Sequence, residues 1–235
     1  MTPTPAFVSY EFAGRKELCL SAGDISPRHV MLVPPLFDEM NRMRKLLADV
    51  MRELDSLGVG SFLPDLPGTN ESLAEPEHIT LVDWQKALQV CAQQHKISHI
   101  ASFRGGALAL PEIPSAHYWI FSPVKGATLL RMMMRTKVAA DREAGLTTTI
   151  GDLSTRAASG PLELAGNMIG PDLFTQLEVA QIPEWEKQRT VRLDSDQKPA
   201  DARIPGSPLW LRAEPDDDPA MSVAIARDIA VWITA

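Results

Sequence analysis

The stretch ASFRGGALAL (101–110) holds the one pattern in the chain that could set a reactive side chain on a sharp turn. A G-x-S-x-G turn between strand and helix needs small residues on both sides of its nucleophile, because the backbone there comes close to its neighbours. Aligned on that pattern, the five positions are Ser102, Phe103, Arg104, Gly105 and Gly106. Small residues stand first and last, and arginine stands where the nucleophile belongs. A guanidinium stays protonated and has no lone pair to attack with, so Arg104 cannot replace serine in acyl transfer. Taking Ser102 as the nucleophile instead would require glycines at Ile100 and Arg104.

The partners of such a nucleophile follow it in the order acid, then histidine. The last of the five histidines is His117; His29, His78, His95 and His99 all precede the turn. His29 and His99 are expected to flank strands, and His78 and His95 to lie near helix ends. An unconventional catalytic site would have to draw on Ser102, Ser122, Asp65 and Asp38, with a base within hydrogen-bond reach of a hydroxyl.

A cation at the start of a helix is unfavourable without a nearby negative charge, since free N–H groups and the helix dipole already make that end positive. Arg104 therefore calls for an acid, with Glu39 first, then Asp38 and Glu214. Two readings follow. In one, Arg104 and Glu39 form a buried structural ion pair. In the other, Arg104, the N–H groups of Gly105 and Gly106 and the side chain of Asn41, with Phe103 beside them, hold a carboxylate, phosphate or sugar acid.

The elements that must position these residues alternate. FVSYEF and KELCLSAG around Gly14 form a predicted hairpin, and RHVMLVPP reads as a strand buried on both faces. Met40, Met43, Leu47, Val50, Leu54 and Leu57 recur at helical spacing, ended by Gly58. Thr80 and Asp83 have capping-box spacing at the head of a helix with Leu81, Trp84, Leu88 and Cys91 on one face. ISHIASF and AHYWIFSP are further strands, and residues 124–180 read as mainly helical, with Met132, Met133 and Met134 as packing. RTVRLDSD reads as a strand and PAMSVAIARDIAVWI as a closing helix.

Strands alternating with helices behind an antiparallel hairpin predict the α/β-hydrolase fold. The expected architecture is a single domain over 1–235, its sheet mostly parallel, with a helical cap at about 124–180 and a shortened C-terminal part.

A chain of 235 residues with 45% hydrophobic and 23% charged residues fits that size, and its net charge of -7 argues against nucleic acid as a partner. Cys19 and Cys91 read as buried small hydrophobes. No metal motif, no G-x-x-x-x-G-K-[ST] and no G-x-G-x-x-G occurs, so neither metal nor cofactor is expected. DSDQ and PDDDP read as solvated loops rather than calcium ligands. MTPTPAFVSYEF lacks a basic region followed by an apolar one, and no run would span a bilayer, which predicts a cytoplasmic protein without membrane insertion.

LVPPLFDEMNRMR, FLPDLPGTNES, FRGGALAL, SPVKGATLLRMMMRTKVAA, GPLELAGNMIGPDL and PGSPLWLRAEP follow one another in an order and spacing that resemble the type 2 hydrolase-like proteins of the bacterial exosortase A system. The resemblance spans about 30–225 and implies the α/β-hydrolase superfamily, an exopolysaccharide setting, ester or thioester substrates for active members, and an arginine at the turn as a family trait. The chain departs from it at 183–205, where the family supplies more strand and helix. The expectation is a protein without ordinary hydrolase chemistry that binds a small anionic ligand or a partner. The alternatives are an esterase- or thioesterase-type enzyme with a non-standard site, or an interaction protein that forms a homodimer through its cap.

Overall fold

The computed structural model describes residues 5–23 and 26–234; residues 1–4, part of the N-terminal stretch read above for targeting, lie outside them, as do 24, 25 and 235. The chain opens with β1 (Ala6–Phe12) and β2 (Arg15–Ala22), paired antiparallel. Ala13 and Gly14 between them both take positive φ, 48° and 75°, as a tight two-residue hairpin turn requires. Then follow β3 (His29–Val33), α1 (Asp38–Ser56), β4 (Gly60–Pro64), α2 (Leu81–Gln94), β5 (His99–Phe103) and β6 (His117–Phe121).

An inserted segment comes next, with α3 (Gly126–Glu143), α4 (Ile150–Ser159), β7 (Leu162–Leu164), β8 (Asn167–Ile169) and α5 (Pro171–Val179). After it come β9 (Gln188–Leu193), β10 (Ala202–Ile204) and α6 (Pro219–Trp232). Eight of the strands make one sheet in the order β1-β2-β4-β3-β5-β6-β9-β10. Only the pairs made by β2 in that sheet are antiparallel.

Alternation along the strands divides the core. Val30 and Leu32 face one cluster with the buried sides of α1 and α6, while Met31 and Val33 face the other with α2. In α1 the helical spacing delivers Met40, Met43, Leu47, Val50 and Leu54 to the core. Leu57, assigned to the same face from its spacing, is instead the C-cap and 44% exposed, because Gly58 at φ 73° turns the chain away. In α2 the Thr80 hydroxyl accepts from Asp83 N, and the Asp83 carboxylate accepts from Thr80 N, closing the capping box.

The helices of the insertion between β6 and β9 are legible in the sequence. Its β7–β8 hairpin is not, because three-residue strands are too short to show alternation. Ala165 and Gly166, at φ 49° and 78°, make its turn.

The C-terminal region is shortened in one connection. β9 and β10 are both present and parallel, but residues 194–201 join them without a helix. Side chains hold this return in a helix's place. Arg192 bonds Pro199 O and Asp196, and Arg203 bonds Leu193 O, Asp196 O and Lys198 O. Among the described residues no helix is long and apolar enough to cross a membrane.

The closing helix is tied to the sheet by charge. Asp228 of α6 accepts two bonds from Arg189 of β9, at 2.8 and 3.0 Å, and one from the Trp119 indole of β6 at 2.7 Å. Burial alone would raise the Asp228 pKa, but the bonds from Arg189 and Trp119 outweigh it and hold the carboxyl below its usual range. A lowered folded value means this stability is fully present above the unfolded pKa of about 3.9 and is lost as pH falls through the folded one. Asp228→Asn should therefore cost roughly 1–3 kcal/mol near neutrality. Thermal unfolding of both proteins from pH 7 to pH 3 should show that gap narrowing toward acid.

Candidate functional site

The turn after β5 keeps the backbone of a nucleophile position. Arg104 has φ 55°, a left-handed conformation uncommon outside glycine. Gly106 is required by space, since a Cβ there would lie 2.3 Å from Pro34 O and 3.0 Å from Val33 O. At Gly105 a Cβ would meet Leu129 Cδ2 at 3.0 Å. The first small position is filled by Ser102, fully buried, with no hydrogen-bond partner for its hydroxyl.

The helix that follows differs from expectation. It is a six-residue 3₁₀ run, Arg104–Ala109, with every residue buried. So short an element brings little of the aligned dipole that would favour an anion at Gly105 and Gly106.

Arg104 is 8% exposed and closely surrounded. Its Nε and Nη2 donate to the two Glu39 carboxylate oxygens at 3.1 and 2.9 Å, and Nη1 donates to Ser122 O at 2.8 Å. The guanidinium carbon sits 4.2 Å from the centroid of the Trp210 ring, a cation–π stack. The second hydrogen on each Nη is left over. Burial pushes the Glu39 carboxyl above the usual range, while the charge and bonds of Arg104 pull it down.

Glu39 reaches Arg104 because it lies in the first turn of α1, just after the loop leaving β3. Three residues on, Arg42 donates to Trp210 O at 3.2 Å, so the same helix face anchors both the arginine and the ring stacked on it. Trp210 lies in a 3₁₀ turn, Leu209–Leu211, after β10. In nucleophile–acid–histidine chain order this return segment would carry the histidine. Sequence reasoning misses both Trp210 and Ser122 O. Trp210 lies in a stretch, IPGSPLWLRAEPDDDP, that reads only as a loop or a strand between loops, and a backbone carbonyl leaves no mark in sequence.

The remaining residues expected at the site disperse. Asp38 pairs with Arg42 at 2.7 Å, and Glu214 is exposed in the loop before α6. Phe103 is fully buried against Trp119 and Phe121, and Gly105 and Gly106 pack on Leu36, Leu129 and Pro34. Asn41 is exposed, accepts from Arg44 at 3.3 Å, and lines a different cleft from Arg104.

The hydroxyls weighed for catalysis have no base. Ser102 and Ser122 hydroxyls are buried without partners, and the Asp65 carboxylate is bonded by Asn70 at 2.7 Å. His29, His99 and His117 stand at the N-terminal ends of β3, β5 and β6, the sheet edge opposite the turn. Ser98 Oγ meets His99 Nδ1 at 3.2 Å, but at that far edge. Among the described residues no group of three or more His, Cys, Asp or Glu could hold a metal ion.

No protein-family model matches the sequence, and no curated protein matches it either. Solved structures do. The ferulic-acid-bound form of Est1E from Butyrivibrio proteoclasticus superposes with a TM-score of 0.62 at 11% identity, covering 97% of this chain and 98% of its own. A proline iminopeptidase-related protein from Thermus thermophilus gives 0.58 at 14% identity, covering 100% and 98%. The chain has the α/β-hydrolase fold. At these identities the likeness speaks to the fold alone.

On this fold Arg104 opens onto a cleft of about 560 Å³ whose walls also carry Lys125, Arg192 and Lys198, with Glu184 and Asp196 as the acids. Asp196 is engaged by Arg192 at 2.9 Å. Lys125 and Lys198 are exposed; the Lys198 charge, with the bonds from Arg192 and from the Lys198 backbone N–H, helps hold the Asp196 carboxyl below its usual range.

The buried pair dictates how this centre fails. Arg104→Ala strands the Glu39 carboxylate and should cost about 3–5 kcal/mol, whereas Arg104→Met combined with Glu39→Leu should recover most of that. Denaturant unfolding of wild type, single and double variants checks both; a single variant as stable as wild type contradicts the structural role.

Proposed function

We propose that this chain is a hydrolase-fold protein that has given up acyl transfer and binds a small anionic ligand in the cleft above Arg104. The observation that carries the reading is what the turn presents: a left-handed position occupied by a guanidinium already bonded to Glu39 and Ser122 O and stacked on Trp210. Nothing at that position can form a covalent acyl intermediate, His29, His99 and His117 stand at the far ends of their strands, and His78 is exposed and paired with Glu75.

The anion site consists of Arg104, Lys125, Arg192 and Lys198. Lys125 supplies uncompensated positive charge, and Lys198 adds a charge opposed in part by Asp196, which Arg192 already engages. Arg104 and Arg192 enter already paired, and act as oriented donors through the N–H groups their acids leave free. A carboxylate, phosphate or sugar acid suits such a mixture of point charges and planar donors. The resemblance to exosortase-associated proteins supports a bacterial, cytoplasmic role beside exopolysaccharide synthesis. Homodimerisation through the inserted helices belongs to the same proposal and is read directly by light scattering.

Short nitrophenyl esters should not be turned over by the wild type, nor by Arg104→Ser, which restores a hydroxyl without restoring a base. Titration with inorganic phosphate and with glucuronate should give saturable binding that Lys125→Ala with Lys198→Ala weakens roughly tenfold or more, and that rising salt screens. Wild-type ester turnover abolished in an Arg104 variant overturns the reading.

A further inference from the structure

A second cleft shares no lining residue with the first and differs from it in carrying no charged side chain. It encloses about 380 Å³ among the loop leaving β3, the loop leaving β4, α2 and the tip of the β7–β8 hairpin. In a chain that is 23% charged, none of its lining residues carries a charge. Phe37 and Trp84 form one wall, their rings edge to face with centroids 5.7 Å apart. The Trp84 indole is satisfied by Pro67 O at 2.9 Å, so that wall presents apolar ring surface. Met40 and Met168 add polarisable, adaptable surface.

Polar groups enter at the rim, and only as amides and a hydroxyl: Asn41, Asn70, Asn167 and Thr69. Arg44 bonds Asn41 Oδ1 at 3.3 Å and Asn70 Oδ1 at 3.0 Å, and Asn70 Nδ2 is spent on Asp65. This leaves the Asn41 NH2 as an unengaged donor. Asn167 gives its NH2 to Ala165 O at 2.8 Å, which leaves its amide oxygen as an acceptor. One donor and one acceptor on an uncharged pocket with an aromatic wall match a ligand with a carbonyl and an N–H or O–H.

The backbone supplies an independent sign. Phe37 sits at φ 60°, ψ -137°, a region close to one reserved for glycine and unfavourable for a phenylalanine. Strain of this kind persists where surroundings over-determine a side chain's position, and here it is the aromatic wall of the cleft that is so held.

We infer that this cleft is a binding site for an uncharged, ring-bearing small molecule with an amide- or alcohol-type edge, separate from the anion site at Arg104. The volume suits a ligand of bicyclic size, and a carboxylate would be desolvated there with no charged residue in the lining, the Arg44 charge behind the rim amides being already opposed by Asp65.

The test compares 2-naphthamide with 2-naphthoate, equal in shape and different in charge, by titration calorimetry on the intact protein. 2-Naphthamide should bind one to one, and 2-naphthoate at least about tenfold more weakly. Met168→Trp, at a 40% exposed hairpin position that tolerates bulk, should fill the mouth and weaken 2-naphthamide by a similar factor with an unchanged melting curve. Lys125→Ala with Lys198→Ala should leave it unaffected, so failure of the anion reading and of this one are separately visible. No saturable binding of 2-naphthamide, equal binding of the two probes, or a Met168→Trp variant that binds as wild type overturns the proposal.

Discussion

A cation buried at a left-handed turn sets the terms for the rest of the centre. Removing a guanidinium from water is costly unless its donors are met and its charge is opposed, and every element around Arg104 contributes to one of those needs. The first turn of α1 provides the carboxylate, the end of β6 a carbonyl, and the segment after β10 an aromatic face. Ser122 offers that carbonyl from a strained position of its own, φ 44°, so two non-glycine left-handed residues meet across one hydrogen bond. The ion pair neutralises the buried charge, and a neutral residue at 104 alone would leave the Glu39 carboxylate unpaired.

The same arrangement underlies the proposal that acyl transfer has been given up at this turn. A serine at this turn would need a histidine on the return from β10, and that return instead stacks Trp210 on the cation. The replacements are mutually consistent: arginine wants an acid and an aromatic face, and finds Glu39 and Trp210.

Much of the fold was legible because its signals are local and long. The α1 spacing, the Thr80–Asp83 capping box and the unbroken strand around Val30–Val33 each state their structure within a dozen residues. Arg104 and its need for an acid were legible because an arginine in a turn made for a small nucleophile violates a steric and electrostatic rule. What escaped was short or non-local. The β7–β8 hairpin and β10 have three residues per strand, too few for a period to register. The site residues split between two clefts because Asn41, two positions after Glu39, points off a different side of the same helical turn, about 200° around the axis.

The shortened connection between β9 and β10 is also what shapes the charged cleft. Parallel neighbours are normally joined through a helix laid on the sheet, which needs a dozen residues or more. Residues 194–201 manage the return because Arg192 and Arg203 take over the carbonyls that helical N–H groups would have satisfied. With no helix over that edge, the loop itself becomes a wall, bringing Asp196, Lys198 and Pro199 to the space that Arg104 faces. The residues that make the truncation possible and those that charge the cleft overlap in Arg192 and Asp196. Restoring a helix here would close the cleft as it lengthened the fold, so the truncation and the exposed cationic face are one structural choice.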